Sequence, residues 1–548
     1  MTMDPAGEAS GTVFARFEAM ANRFPGRPFQ VVLPETATAY GIAAEEITYG
    51  DMLARVRSRR DAYRRAGYGP GHRVGLLLRN RPDFLIHWFA LNGLGASIVP
   101  INPDLRAAEL EYLIGHSGMV LAVSLEERIG ELERAGDAIG ASIDVVAPDA
   151  DCPAAPRPCV TPAPPDESEC ALLYTSGTTG RPKGCVLTNA YFLGAGDWYA
   201  GIGGLCSLRR DPPERMLTPL PLFHMNALAY SVMAMVTVGG AIAVLDRFHP
   251  RSWWSSVRAF EASVVHYLGV MPAMLMTADP SPSDRDHYVR FGFGAGVPAA
   301  LHAPFEERFG FPLLEAWAMT ETGAGAVVIA NEEPRRIGTS CFGRPAPAVE
   351  VAIRRDDGAD AGIGGPGELL VRAAGEDPRR GFFQAYLKDP AATDAAWEGG
   401  WFHTGDVVSR DADGQLHFVD RKKNVIRRSG ENISAVEVES VLGEHPAVAQ
   451  VAVAATPDPI RGDEVAALVV AREKIDDAQA AQRLAAEIVR HALSRLAYYK
   501  APGYVAFVSA LPLTSTEKIQ RGALKQDVAR IMAGGEAIDT RPMKKRSV

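Results

Sequence analysis

Short apolar runs alternate with helix-patterned stretches from residue 46 onward, and that alternation restricts the architectures open to this chain. ITYGDMLARVRSRRDAYRRAG has helical spacing and ends at Gly67. HRVGLLL reads as a strand, PDFLIHWFALNGLGA as a helix with Pro82 in its first turn, and SIVPI as a second strand. Strand, helix and strand at this spacing predict a parallel, doubly wound sheet.

The rest of the chain divides by composition. Residues 152–168 hold six prolines and read as a surface linker. CALLY (170–174) and CVLT (185–188) read as strands, with Thr188 or Asn189 capping the helix that follows. Further alternation runs to about residue 330. Residues 338–420 change to short strands and turns, which predicts a small β-rich subdomain. A compact α/β unit follows a boundary near residue 423.

The chain has 548 residues, 47% apolar and 22% charged, with a net charge of −9. That offers no general basic surface and excludes nucleic acid as the expected partner. Lys544, Lys545 and Arg546 read as a solvated basic end. The six cysteines form no CxxC pair and read as reduced thiols. The start of the chain has no signal-peptide pattern. Ala227 to Leu245 is uncharged, but Gly239-Gly240 splits it into a core helix, a turn and a strand rather than a transmembrane segment. A cytoplasmic location is expected.

Four stretches carry chemistry. YTSGTTGRPKG (174–184) combines glycines that let backbone N–H groups approach an anion with Thr175, Ser176, Gly177, Thr178, Thr179, Gly180 and Lys183. It joins two strands and lacks the Gly-Lys-Ser/Thr ending of a Walker A loop. EAWAMTETG (315–323) places Thr320 and Glu321 where a strand breaks; they read as magnesium and phosphate ligands or as helix-cap chemistry. In GWFHTGDVVSRDADGQLHFVDRKKNVIRRSGENIS (400–434), Asp406 follows Thr-Gly in an expected turn, as a ribose ligand or an Asx-turn, and Arg421 follows a strand hairpin. LPLTSTEKIQRGALK (511–525) sets Lys518 in a polar loop, catalytic or simply exposed. Gly362 to Gly367 fits GxGxxG but precedes a strand and contains Pro366, so it reads as a turn.

In this order the four stretches resemble the adenylate-forming superfamily of acyl-CoA synthetases, and most of all its crotonobetaine/carnitine-CoA and fatty-acyl-CoA ligases. The resemblance runs from about residue 45 to 528. It implies a large N-terminal domain (1–422) of two doubly wound αβα subdomains plus a small distorted β-barrel. A small mobile α+β domain (423–548) would follow a hinge at Lys423. It implies ATP, Mg²⁺ and coenzyme A, a small carboxylic acid substrate, and two half-reactions: formation of acyl-AMP and pyrophosphate, then of the thioester with release of AMP. Such chemistry is mostly positioning and charge neutralisation. The opening loop would hold the β- and γ-phosphates, Thr320 the α-phosphate, Glu321 the metal, Asp406 and Arg421 the ribose. Lys518 would bridge the carboxylate and the α-phosphate. Gly294, Ala295 and Gly296, with Glu315, Ala316 and Trp317, would flank adenine and the acyl pocket. His224 would gate the two, and Gly430 would line the coenzyme A channel. A homodimer is left open.

Three positions depart from the family pattern. Glu517 stands where glycine usually precedes the catalytic lysine, Trp317-Ala318 replaces Tyr-Gly and is expected to narrow the adenine or acyl pocket, and Asn189 replaces histidine. No carboxylate follows His224 to fix an α-amino group, which disfavours an amino acid substrate. Arg427 and Arg428 are left between coenzyme A phosphates and solvent. The alternatives kept open are acyl transfer to a carrier protein or an amine, and a catalytically weak nucleotide-binding relative.

Overall fold

The computed structural model describes residues 11–175, 181–421, 425–475, 477–512 and 519–545, with only the backbone of 420, 421 and 425. Ser176, Gly177, Thr178, Thr179, Gly180, Lys423, Glu517 and Lys518 lie outside the described residues, as does the side chain of Arg421.

Two sheets, each with a parallel centre, form the body. In the first, strand Arg73–Leu77 is central, with Ser97–Pro100 on one side and Leu121–Ser124 on the other, all parallel. Strand Glu169–Thr175 pairs parallel with Ser97–Pro100. The chain thus winds outward in both directions from its first strand, which puts the ligand crevice at the strands' carboxyl ends. The second sheet repeats the scheme around Arg215–Thr218, with Ala241–Val244 on one side and Val264–Leu268, Phe291–Ala295 and Leu313–Trp317 on the other. Pro28–Val32 and Glu45–Thr48 extend its outer edge.

The uncharged stretch folds inside this body. Asn226–Val232 is a π-helix that continues into helix Met233–Val238, Gly239 turns at φ 71°, and Ala241–Val244 enters the second sheet. Ala227–Leu245 contains no residue that is more than slightly exposed. Among the described residues no helix is long and apolar enough to cross a membrane.

The β-rich segment is an antiparallel continuation of the second sheet. It joins through Val328–Ile329 and Cys341–Pro345, then Leu416–Arg421, Phe402–Arg410 and Gly367–Ala373, and ends at Val349–Arg354. Among the described residues no strand pairing closes the run into the expected barrel.

A smaller C-terminal unit has its own mixed sheet, Val425–Arg428, Glu431–Ser434, Val448–Asp458, Gly462–Ala471, Tyr504–Phe507 and Ile538–Asp539, packed by helices Ala435–Gly443, Ala478–Arg495 and Arg521–Gly534. Its apolar clusters contain no residue before Ile426, and those of the larger body none after Phe418. Of the expected solvated end, Lys545 is exposed, Arg546 lies outside the described residues, and only Lys544 is corrected. Lys544 is buried, and its ammonium donates to Glu464, which also pairs with Arg428 at 2.8 Å. Two cations share one buried carboxylate, so the triad favours loss of a proton. Burial, reinforced by Arg428 and opposed by Glu464, brings the Lys544 amine down to about 7.

Candidate active site

The glycine- and hydroxyl-rich loop springs from an antiparallel pair. Thr175 ends strand Glu169–Thr175 directly opposite Lys183, the first residue of strand Lys183–Thr188. Both line a cavity of about 440 Å³ between the body and the C-terminal unit. The Lys183 ammonium lies 4.5 Å from the centre of the Tyr386 ring, a cation–π contact that holds it beside the cavity. Arg181 lines the same cavity, 5.3 Å from the ring of Tyr112.

Strand Leu313–Trp317 ends as its chain reaches this cavity, and Thr320 and Glu321 line it. The Glu321 carboxylate is buried and accepts the Tyr386 hydroxyl at 2.9 Å and that of Thr175 at 3.5 Å. Burial, then the Glu321 charge, pushes the Tyr386 hydroxyl far above the ordinary tyrosine range, so it remains a donor. The Thr320 carbonyl accepts the hydroxyl of Tyr191 at 2.9 Å. Thr322, not Thr320, precedes the short 3-10 helix Gly323–Ala326. Among the described residues no group of three or more His, Cys, Asp or Glu could hold a metal alone. One carboxylate suits Mg²⁺ that arrives with triphosphate oxygens and waters of its own.

Asp406 is not in a turn. It lies inside strand Phe402–Arg410, where Gly405 takes φ 70° and kinks the strand, and it lines the cavity while being 2% exposed. Its backbone partner across the sheet is Arg421. Trp317 donates its indole N–H to the Asp406 carboxylate at 2.9 Å. The expectation that Trp317 narrows the pocket is therefore corrected: its ring turns toward Asp406 and Phe342, and Ala316 and Ala318 line the cavity instead.

Gly294 and Ala295 line the cavity at the end of strand Phe291–Ala295. A Cβ on Gly294 would fall 2.3 Å from the carbonyl oxygen of Tyr267, so only glycine fits there. Gly296 and Glu315 do not line the cavity. Glu315 is buried behind it and accepts the N–H of Val297 at 2.7 Å; burial raises its carboxyl, and that N–H opposes the rise. It fixes the bend after Ala295.

The C-terminal unit closes the other side. Gly430 takes φ 90° and lines the cavity, where an added Cβ would meet Leu268 Cδ1 at 2.3 Å. His224 Nε2 lies 3.3 Å from a carboxylate oxygen of Glu431. Arg427 also lines the cavity, whereas Arg428 is buried against Glu464, away from both solvent and cavity. Leu511 and Ile519, which flank the stretch that contains Lys518, belong to an apolar cluster with no member on the cavity wall.

Sequence reasoning passed over several groups. Tyr386 stands in a two-residue strand with no motif around it. Lys500, Glu109 and Glu437 form a buried triad across the two units: the Lys500 ammonium is 2.5 Å from Glu109 and 2.9 Å from Glu437. Burial alone would depress Lys500, but the two carboxylates outweigh it and hold it above the ordinary lysine range. Glu109 and Glu437 each stand at the third position of a helix, after Arg106 and Ser434. In sequence that position reads only as first-turn helix chemistry.

Residues 17–381 match the family described as AMP-binding enzyme, and residues 437–518 its C-terminal domain. A crotonobetaine/carnitine–CoA ligase of Salmonella paratyphi A is 30% identical over 502 residues, which is 88% of this chain and 93% of that protein. A malonyl-CoA ligase solved with methylmalonyl-CoA and AMP bound has 26% identity and a TM-score of 0.72, over 93% of this chain and 100% of that one. An amide bond synthetase from Marinactinospora thermotolerans shares the fold with a TM-score of 0.77 at 24% identity, over 93% of this chain and 99% of that one.

Proposed function

Because the chain belongs to the AMP-binding enzyme family and its relatives are acid–thiol ligases, we propose that it joins a small carboxylic acid to coenzyme A at the expense of ATP. One observation carries this reading. Motifs as far apart as Thr175 and Gly430 converge on one cavity that also presents Lys183, Thr320, Glu321 and Asp406.

The placement of Thr175, Lys183, Thr320, Glu321, Asp406, His224 and Gly430 on one cavity supports the following roles. Thr175 and Lys183 anchor the loop that takes the leaving pyrophosphate. Glu321, oriented by Tyr386, offers the carboxylate that Mg·ATP requires, and Thr320 stands next to it. Asp406, fixed by the Trp317 indole, accepts the ribose hydroxyls, with Arg421 beside it in the sheet. His224 separates nucleotide from acid. Gly430 lacks a side chain where the pantetheine arm passes. Lys518 bridges the acid and the α-phosphate when the C-terminal unit turns about Lys423, the boundary between residues 1–422 and 423–548. The arrangement with Gly430 at the cavity corresponds to thioester formation. The apolar and carboxamide wall around Asn226 disfavours an α-amino acid.

The test is pyrophosphate release with a panel of carboxylic acids, crotonobetaine among them, with and without coenzyme A. Strong stimulation by coenzyme A together with thioester product is expected. Release without stimulation would favour transfer to an amine or a carrier protein. Lys518→Ala should abolish acyl-AMP formation and spare thioester formation from preformed acyl-AMP; equal losses in both would remove its assigned role.

A further inference from the structure

Resting on the ligase reading, we propose that Asn226 selects acids whose chain carries an uncharged oxygen acceptor, by turning its amide NH₂ into the cavity. The case is one of hydrogen counting in a buried network. Asn226 lines the cavity at the start of the π-helix Asn226–Val232. Its Oδ1 lies 3.0 Å from His266 Nδ1, and Ser231 Oγ lies 2.8 Å from the same nitrogen. The other ring nitrogen, Nε2, lies 3.0 Å from the Tyr199 hydroxyl. Tyr199, Ser231 and His266 are fully buried. Burial brings the His266 imidazole down to about 3, so the ring is neutral and carries one proton.

That proton has one consistent place. The Tyr199 hydroxyl has no other hydrogen-bond partner among the described residues. With the ring proton on Nε2, the phenolic hydrogen would be stranded in the core, at a cost of about 1–3 kcal/mol. Tyr199 therefore donates to Nε2, and the proton sits on Nδ1. Ser231 Oγ and Asn226 Oδ1 share the Nδ1 proton in a three-centre bond, and Ser231 donates to the backbone carbonyl oxygen of Asn226, 3.3 Å away. Asn226 accepts from Nδ1 through Oδ1, which leaves its NH₂ with no partner among the described residues; because Asn226 lines the cavity, that NH₂ is the donor it can offer there.

The surroundings define what the NH₂ meets. Phe293 and Leu268 are apolar neighbours on the cavity wall, and the Tyr230 hydroxyl is already committed to the Gly323 carbonyl at 3.0 Å. A neutral NH₂ does not by itself neutralise a second carboxylate. A keto, ether or hydroxyl oxygen fits, and an acid lacking one leaves the buried donor unpaired.

The experiment compares kcat/KM for hexanoate with its 3-, 4- and 5-oxo derivatives. At least one oxo acid should be preferred by about tenfold or more. Asn226→Leu should bring the ratio to within about twofold of unity. Asn226→Asp keeps the shape and the acceptor toward His266 but loses the NH₂, and should also lose the preference. Tyr199→Phe tests the positioning role: the ratio should fall, whereas an equal loss on both acids would assign Tyr199 to packing alone. Turnover of hexanoate with no oxo preference, or a preference that survives Asn226→Asp, would overturn the inference and leave the ligase reading intact. Failure of every acid to yield AMP would overturn both.

Discussion

The Lys500 ammonium lies 2.5 Å from a carboxylate oxygen of Glu109, a residue 391 positions earlier, and both side chains are buried. Glu109 also accepts the Ala497 N–H at 2.8 Å, so one carboxylate ties the two units together twice. Removing Glu109 takes away both of these ties and leaves Lys500 paired with Glu437 alone, inside the C-terminal unit. Glu109→Ala should therefore depopulate this domain arrangement. Thioester formation from preformed acyl-AMP should fall about tenfold or more, with adenylation spared. A uniform loss in both half-reactions would contradict this.

Gly430→Ala should produce the same asymmetry by a different route. The new methyl would meet Leu268 and the left-handed φ would be strained. Leu268→Ala in the same chain should restore part of the thioester rate by removing the clash and not the strain. Full restoration would show that backbone conformation is irrelevant there.

Trp317→Phe and Asp406→Asn should raise the KM for ATP to different degrees. The indole bond is charge-assisted, and such bonds contribute about 1.5–3 kcal/mol. Loss of the carboxylate should cost roughly a hundredfold in kcat/KM for ATP, loss of its orienting N–H about tenfold. Equal effects, or none for Trp317→Phe, would show that the indole does not position Asp406.

Tyr386→Phe removes a donor from Glu321 without emptying space. The Mg²⁺ concentration giving half-maximal rate should shift severalfold, while thermal unfolding stays nearly unchanged. An unchanged Mg²⁺ dependence would separate Glu321 from metal binding.

Lys544 gives a pH signature. Its amine lies near 7 in the folded chain, below its unfolded value, so the unfolded chain binds more protons between about pH 7 and 10. The Lys544 contribution therefore makes stability rise with pH across that window, by at most about 1.4 kcal/mol per unit. Lys544→Met should flatten the rise in urea unfolding. An identical slope in both proteins would show that Lys544 titrates normally.

The sheet architecture was legible because strands buried on both faces read as continuous apolar runs, as in CALLY, and because Pro82 and Thr188 mark helix starts. Site motifs were legible where chemistry demands local sequence, as between Thr175 and Lys183. Asp406 was misplaced because a glycine kink inside a strand looks like a turn from sequence alone. Trp317 was misread because strand alternation sends neighbouring side chains to opposite faces, and its face meets Asp406, 89 positions away. Glu109, Lys500 and Tyr386 were passed over because their partners are brought together only by the fold, and a surface lysine looks the same in sequence.

The Glu464 carboxylate binds Arg428, two residues before Gly430, and also Lys544. The last described turn of the chain is thereby wired to the loop over the cavity. Carboxypeptidase trimming past Lys544, or a fusion that pulls it out, would act as an inhibitor of catalysis without touching a substrate-binding group. Activity retained through such trimming would mean that Arg428 holds the loop unaided.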